Sequence, residues 1–169
     1  MAANKYLSNV GGALTEVAAS QSSAANAIAA MDATGRLASN MMPVGIGAET
    51  TSVIASETLT AGDFVNIHIN ANVCNMRKAD GNTTGKEANG FVIAGVTSGL
   101  PGDMYALGGG PNNQLSGMTI GAKQYLSDTT PGSVTESVPV GAGKTLQLLG
   151  RAESATEMVP YFTNPITLA

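Results

Sequence analysis

The sequence predicts a mainly β protein: a compact β-barrel or sandwich domain preceded by an Ala/Ser-rich N-terminal arm with short helical segments. Three observations predict it. Within Asp63 to Asn70, apolar Val65, Ile67 and Ile69 alternate with polar Asn66, His68 and Asn70. Turn-forming Gly, Pro and Asn clusters recur about every 8–12 residues from residue 50 onward, the rhythm of short strands. The chain also changes character near Pro43, upstream of which it is rich in Ala and Ser and holds no proline. The expected division is an arm and linker over residues 1–47 and a β-domain over residues 48–169.

In the arm, small or apolar residues fall at Ala3, Leu7, Val10, Leu14, Val17, Ala24, Ile28 and Met31, with Gln21 as one polar layer. Steps of four and three form a heptad seam that identical chains could bury together. Gly11 and Gly12 oppose a continuous helix, each costing about 1 kcal/mol in a helix interior. Short helices or an extended arm docked on a neighbouring subunit fit better. Met31-Asp-Ala-Thr-Gly-Arg-Leu37 reads as a turn with Gly35 free for positive φ. Met41-Met-Pro-Val-Gly-Ile-Gly47 reads as an extended linker lying in a groove.

The β-domain follows. Val65, Ile67 and Ile69 share one face of a strand against Asn66, His68 and Asn70. Asn70-Ala71-Asn72 turns it into a second strand, Val73 to Ala79. Further strands are expected at Gly90 to Thr97, Asp103 to Leu107, Lys123 to Ser127, Thr145 to Ala152 and Glu157 to Phe162. Gly81-Asn82, Pro101-Gly102, Gly108 to Asn113, Pro131-Gly132 and Gly141 to Lys144 separate them.

Composition narrows the function classes. Charged residues make up 12% of the 169, about half the usual share. Such a surface suits a chain that sits against other protein, where fewer charges need desolvating. The net charge is −4 and Arg77-Lys78 is the only adjacent basic pair, which argues against nucleic-acid binding. The single Cys74 allows neither an internal disulfide nor a Cys-based zinc site. No apolar run approaches the roughly 18 residues of a membrane span. Met1-Ala-Ala-Asn-Lys5 does not read as a secretory leader. A soluble chain made in a cytoplasm, with no nucleic-acid or membrane partner, is expected.

Four features of the sequence suggest chemistry. Gly143-Lys144-Thr145 ends like a phosphate-binding loop, but Val138 replaces the first glycine and Pro139 sits inside. A Gly-rich hairpin turn with a lysine at its tip is the better reading. Asp80-Gly-Asn-Thr-Thr-Gly85 resembles half a calcium loop, but Phe91 stands where the bidentate Glu belongs. A loop tip with Asx turns accounts for it. His68, the only histidine, has no nucleophile or orienting acid marked in the sequence. A Cys74–His68 pair across the hairpin is conceivable, without any sign of an oxyanion hole. Tyr105, Tyr125 and Tyr161 read as core or interface aromatics. Met31, Met41 and Met42 read as an adaptable interface rather than a metal site.

Leu115-Ser-Gly-Met-Thr-Ile-Gly-Ala-Lys-Gln-Tyr-Leu-Ser-Asp-Thr-Thr-Pro-Gly-Ser-Val-Thr135 resembles a segment of tailed-phage virion proteins, and Thr145 to Ser154 matches the run that often follows it. Leu59 to Asn66 and Gly90 to Ala94 also fit. Met31 to Pro43 is similar to linkers of phage appendages. Together, residues 31–160 resemble phage capsid decoration (cement) proteins, with related β-domains in phage fibre proteins. Gln124 departs from the pattern, which usually has an aromatic there.

The resemblance implies a structural protein of the virion, on the phage head surface, made in the host cytoplasm. It implies binding to the major capsid protein, bridging its subunits to stabilise the capsid, and self-association as a homotrimer. It implies no catalytic residue, cofactor or metal. The expected capsid or oligomer anchors are Leu7, Val10, Leu14, Val17, Ile28, Met31, Met41 and Met42. The alternative is a head-fibre or tail-fibre domain that contacts the host surface. An enzyme acting through Gly143-Lys144-Thr145 is the third class.

Overall fold

The computed structural model describes residues 5–10, 13–20, 28–29, 31 and 50–169. The backbone divides into two units, Met1–Gly47 and Ala48–Ala169. The described residues contain strands and turns but no helix. The expectation of a mainly β chain therefore holds, and no helix among them is long and apolar enough to cross a membrane.

The first unit holds β1 (Lys5–Val10), β2 (Ala13–Ser20) and β3 (Ile28–Ala29). β1 and β2 pair antiparallel from Lys5↔Ala18 to Val10↔Ala13. β3 lies parallel to β2, with Ala19↔Ile28. Over these three stretches this corrects the short helical segments expected in the arm. Only Gly11 and Gly12 separate β1 from β2 in the sequence, and a Gly-Gly pair between two short runs is a hairpin signal. The register also divides the expected seam. Leu7 stands opposite Glu16 and Leu14 opposite Asn9, whereas Val10 stands opposite Ala13 and Val17 opposite Tyr6. The Met41–Gly47 linker and the turn around Gly35 lie outside the described residues.

The second unit begins with β4 (Thr50–Ala55), β5 (Phe64–Asn70), β6 (Val73–Lys78), β7 (Gly90–Phe91) and β8 (Pro101–Ala106). They pair in the order β4-β6-β5-β7-β8, and β8 returns to β4. β4 is parallel to β6, and the other four pairings are antiparallel. A second sheet has the order β10-β9-β12, from β9 (Lys123–Leu126), β10 (Val134–Thr135) and β12 (Leu148–Arg151). β11 (Thr145–Leu146) pairs with β13 (Ile166–Thr167).

Period-two alternation buries the start of β5, and β7 with the residue that follows it, on both faces. Val65 and Val92 point to one cluster with Val53, Ala55, Leu59, Met76, Val96 and Met104. Their chain neighbours Phe64 and Phe91 point to the other, which gathers Leu126, Leu149 and Met158 from the second sheet and its flank. Phe91 stacks on Tyr105 with centroids 5.4 Å apart. Four buried or nearly buried aromatic and branched side chains thus come from two dipeptides, Phe64-Val65 and Phe91-Val92.

Several expected elements take other forms. Residues 92–97 do not continue β7, and only Val96 bridges, to Leu59. Pro101-Gly102 opens β8 instead of turning before it. Thr145 to Ala152 splits at Gln147, whose amide turns inward and brackets Ala88, accepting from its N–H at 2.8 Å and donating to its carbonyl at 2.9 Å. Glu157 to Phe162 forms no strand. Met158 bridges Asn112 and Ala152 there.

Candidate functional site

The loop before β11 was the first candidate. Gly141 and Gly143 take φ of 113° and 81°, which frees the chain to turn sharply. Lys144 Nζ lies 2.6 Å from Asp128 Oδ2. That contact holds the Asp128 carboxyl below its ordinary range, against a smaller opposing effect of desolvation. Thr145 has no exposed surface, and its Oγ1 has no hydrogen-bond partner. A phosphate-binding loop needs a free lysine and a reachable hydroxyl. Here the lysine is engaged and the hydroxyl is sealed in. The hairpin reading needs correction too, because β11 pairs with β13 near the C-terminus and not with the segment before the turn.

The Asp80 loop behaves as an Asx turn. Asp80 Oδ1 accepts the Asn82 N–H at 2.8 Å, and its other oxygen lies 3.9 Å from Lys86 Nζ. No group of three or more His, Cys, Asp or Glu among the described residues is arranged to hold a metal ion.

His68 does meet a serine that sequence reasoning missed. Ser56 Oγ lies 2.8 Å from His68 Nε2 and 3.2 Å from the Met76 carbonyl. A carbonyl only accepts, and a hydroxyl has one proton to give. All three groups are satisfied when Ser56 donates to Met76 and His68 donates to Ser56. That polarity is the reverse of a base drawing a proton from a nucleophile. Among the described residues no carboxylate bonds the other ring nitrogen. The pair acts as a clip that ties the chain after β4 to the β5–β6 hairpin. Nothing local in the sequence signals it, because it depends on the parallel pairing Ile54↔Asn75.

Cys74 is exposed, but it is not a partner for His68. Cys74 stands opposite Ile69, and His68 stands opposite Asn75. Adjacent positions on a strand point to opposite faces, so the two side chains diverge.

The expected anchors are spread. Leu7 and Val10 belong to β1, Leu14 and Val17 to β2 and Ile28 to β3. Met31 is exposed. Met41 and Met42 lie outside the described residues. Of the tyrosines, Tyr105 is half-buried on β8 and Tyr125 half-buried on β9, whereas Tyr161 is exposed outside any strand. Gln124 is buried and donates to Glu136 Oε1 at 3.2 Å. Glu136 also accepts the Thr119 N–H, and these bonds hold its carboxyl below the ordinary range. The polar side chain in the aromatic's place thus has a partner.

The surface feature that stands out is the tip of the β5–β6 hairpin. Its apolar face runs from buried Val65 through Ile67, 39% exposed, to Ile69, 79% exposed. Cys74, opposite Ile69, continues that exposed face, whereas the exposed Val73, opposite Asn70, belongs to the other. No Asp, Glu, Lys or Arg occurs between Phe64 and Met76. The hairpin outruns its neighbours: β7 pairs β5 only at Phe64 and Val65, and β4 pairs β6 only at Asn75 and Met76. An apolar face that lacks a covering strand is suited to contact with another protein surface. Comparisons with protein-family models, curated proteins and solved structures return no match.

Proposed function

We propose that this chain is a structural virion protein that binds a tailed-phage capsid and stabilises it by bridging major capsid protein subunits. The observation that carries the reading is the uncharged tip of the β5–β6 hairpin, with exposed Ile67, Ile69 and Cys74 on one face. Burying such a tip contributes adhesion without desolvating charge. The phage-like segments support the same reading, since Lys123–Leu126, Val134–Thr135 and Leu148–Arg151 belong to one sheet. In this reading the ring of β4 to β8 is a small barrel. The chain acts as a homotrimer on the head surface, and residues 1–47 reach the capsid. Lys144, Thr145, His68 and Asp80 serve the fold.

The test is copy number per purified particle, by gel densitometry against the major capsid protein. Hundreds of copies are expected for a decoration lattice. A handful of copies assigns the chain to a fibre. Absence from the particle overturns the reading.

A further inference from the structure

β7 and β8 close the ring through two residue pairs, Gly90↔Ala106 and Phe91↔Tyr105. Beyond Phe91 the two chains part. Val92 donates to the Asp63 carbonyl, and Val96 exchanges both backbone bonds with Leu59. β8 instead follows β4, from Tyr105↔Thr50 to Pro101↔Ile54. Between them lies a half-open groove of about 360 Å³, lined by Ile93, Val96, Leu100, Pro101, Asp103 and Tyr105 among others.

Two properties of this groove point to its occupant. First, Ile93, Ala94 and Gly95 belong to no strand, and their backbone N–H and C=O groups bond to no other described residue. Open backbone groups in this bend, beside an apolar floor, offer hydrogen bonds to an extended peptide. Second, the Asp103 carboxylate is exposed and makes no hydrogen bond or ion pair with a described residue. On a chain of net charge −4, it favours a cationic visitor. Leu100, 56% exposed at the rim, offers an apolar contact beside it.

We infer that this seam receives an extended peptide strand of a partner protein, with a lysine or arginine on Asp103 and an aliphatic side chain against Ile93 and Leu100. Backbone bonds to residues 93–95 supply the pairing, and the two side-chain contacts select the sequence. The inference rests on the groove alone and holds whether or not the partner is a capsid protein.

The probe is a capped Thr-Val-Lys-Val-Thr-Val peptide, titrated at millimolar concentration into the ¹⁵N-labelled full chain. Amide shifts are expected at residues 93–97 and along β8, with slowed hydrogen exchange at Ile93, Ala94 and Gly95. Asp103→Asn should weaken binding about threefold, the scale of one exposed charge pair. Replacing the peptide lysine by glutamate should weaken it at least as much. Leu100→Asp, a change at an exposed position, should abolish it while leaving the remaining spectrum intact. No shifts at all, shifts confined to the β5–β6 tip, or unchanged affinity in Asp103→Asn would each overturn the inference.

Discussion

Thr145 Oγ1 is a fully buried hydroxyl with no partner. Leaving such a group unpaired costs about 1–3 kcal/mol. Valine has nearly the same shape without the oxygen, so Thr145→Val should raise stability by about 1 kcal/mol. A higher urea midpoint at unchanged slope would show it. Its neighbour Lys144 sets a pH dependence. The lowered pKa of Asp128 means that the folded chain binds fewer protons there than the unfolded chain. This contribution is complete above the ordinary aspartate value of 3.8 and is lost as pH falls through and below it. Lys144→Met should therefore lower stability at pH 7 by under about 1 kcal/mol, as for a partly exposed pair. It should also flatten the loss of stability in acid, and urea melts from pH 7 down to 3 read both effects. The sequence showed why Gly143-Lys144-Thr145 fails as a phosphate loop, through Val138 and Pro139. It did not show that Asp128 holds the lysine or that Ser56 meets His68, because strand pairing brings those residues together.

Ala71 and Asn72 join β5 to β6 with φ of 48° and 62°. Two positive values in a two-residue connection match the twist of the flanking strands. Alanine is poorly suited to that region, and asparagine tolerates it better. Ala71→Asn should stabilise the chain by about 0.5–1 kcal/mol, measured as a rise in melting temperature. The β5 alternation and the Asn-rich turn were legible because polar and apolar residues contrast sharply there. β1 and β2 were not legible as strands. Their Ala- and Ser-rich sequence fits a four-three spacing and a two-residue spacing equally well, and Gly11-Gly12 is the one local signal that marks a hairpin. β7 is shorter than its sequence suggests for another reason. Phe91 to Val96 is apolar throughout, but Val92 and Val96 bond back to Asp63 and Leu59 rather than along the strand.

Among the described residues, both apolar clusters of the second unit draw only on residues between Val53 and Met158. Deleting residues 1–42 should therefore leave the melting temperature of the β-domain within a few degrees of the parent, by calorimetry. On the proposed function, the same deletion should abolish co-sedimentation with capsids. Retained co-sedimentation would remove residues 1–47 from the capsid-binding role. The double-sided burial where β5 begins and where β7 ends also governs how this domain fails. Phe64-Val65 and Phe91-Val92 form a party wall, with a different cluster leaning on each side. Neither cluster can melt and leave the other standing, because the wall would go with it. Heat should take the domain apart in a single step, with calorimetric and van't Hoff enthalpies in agreement.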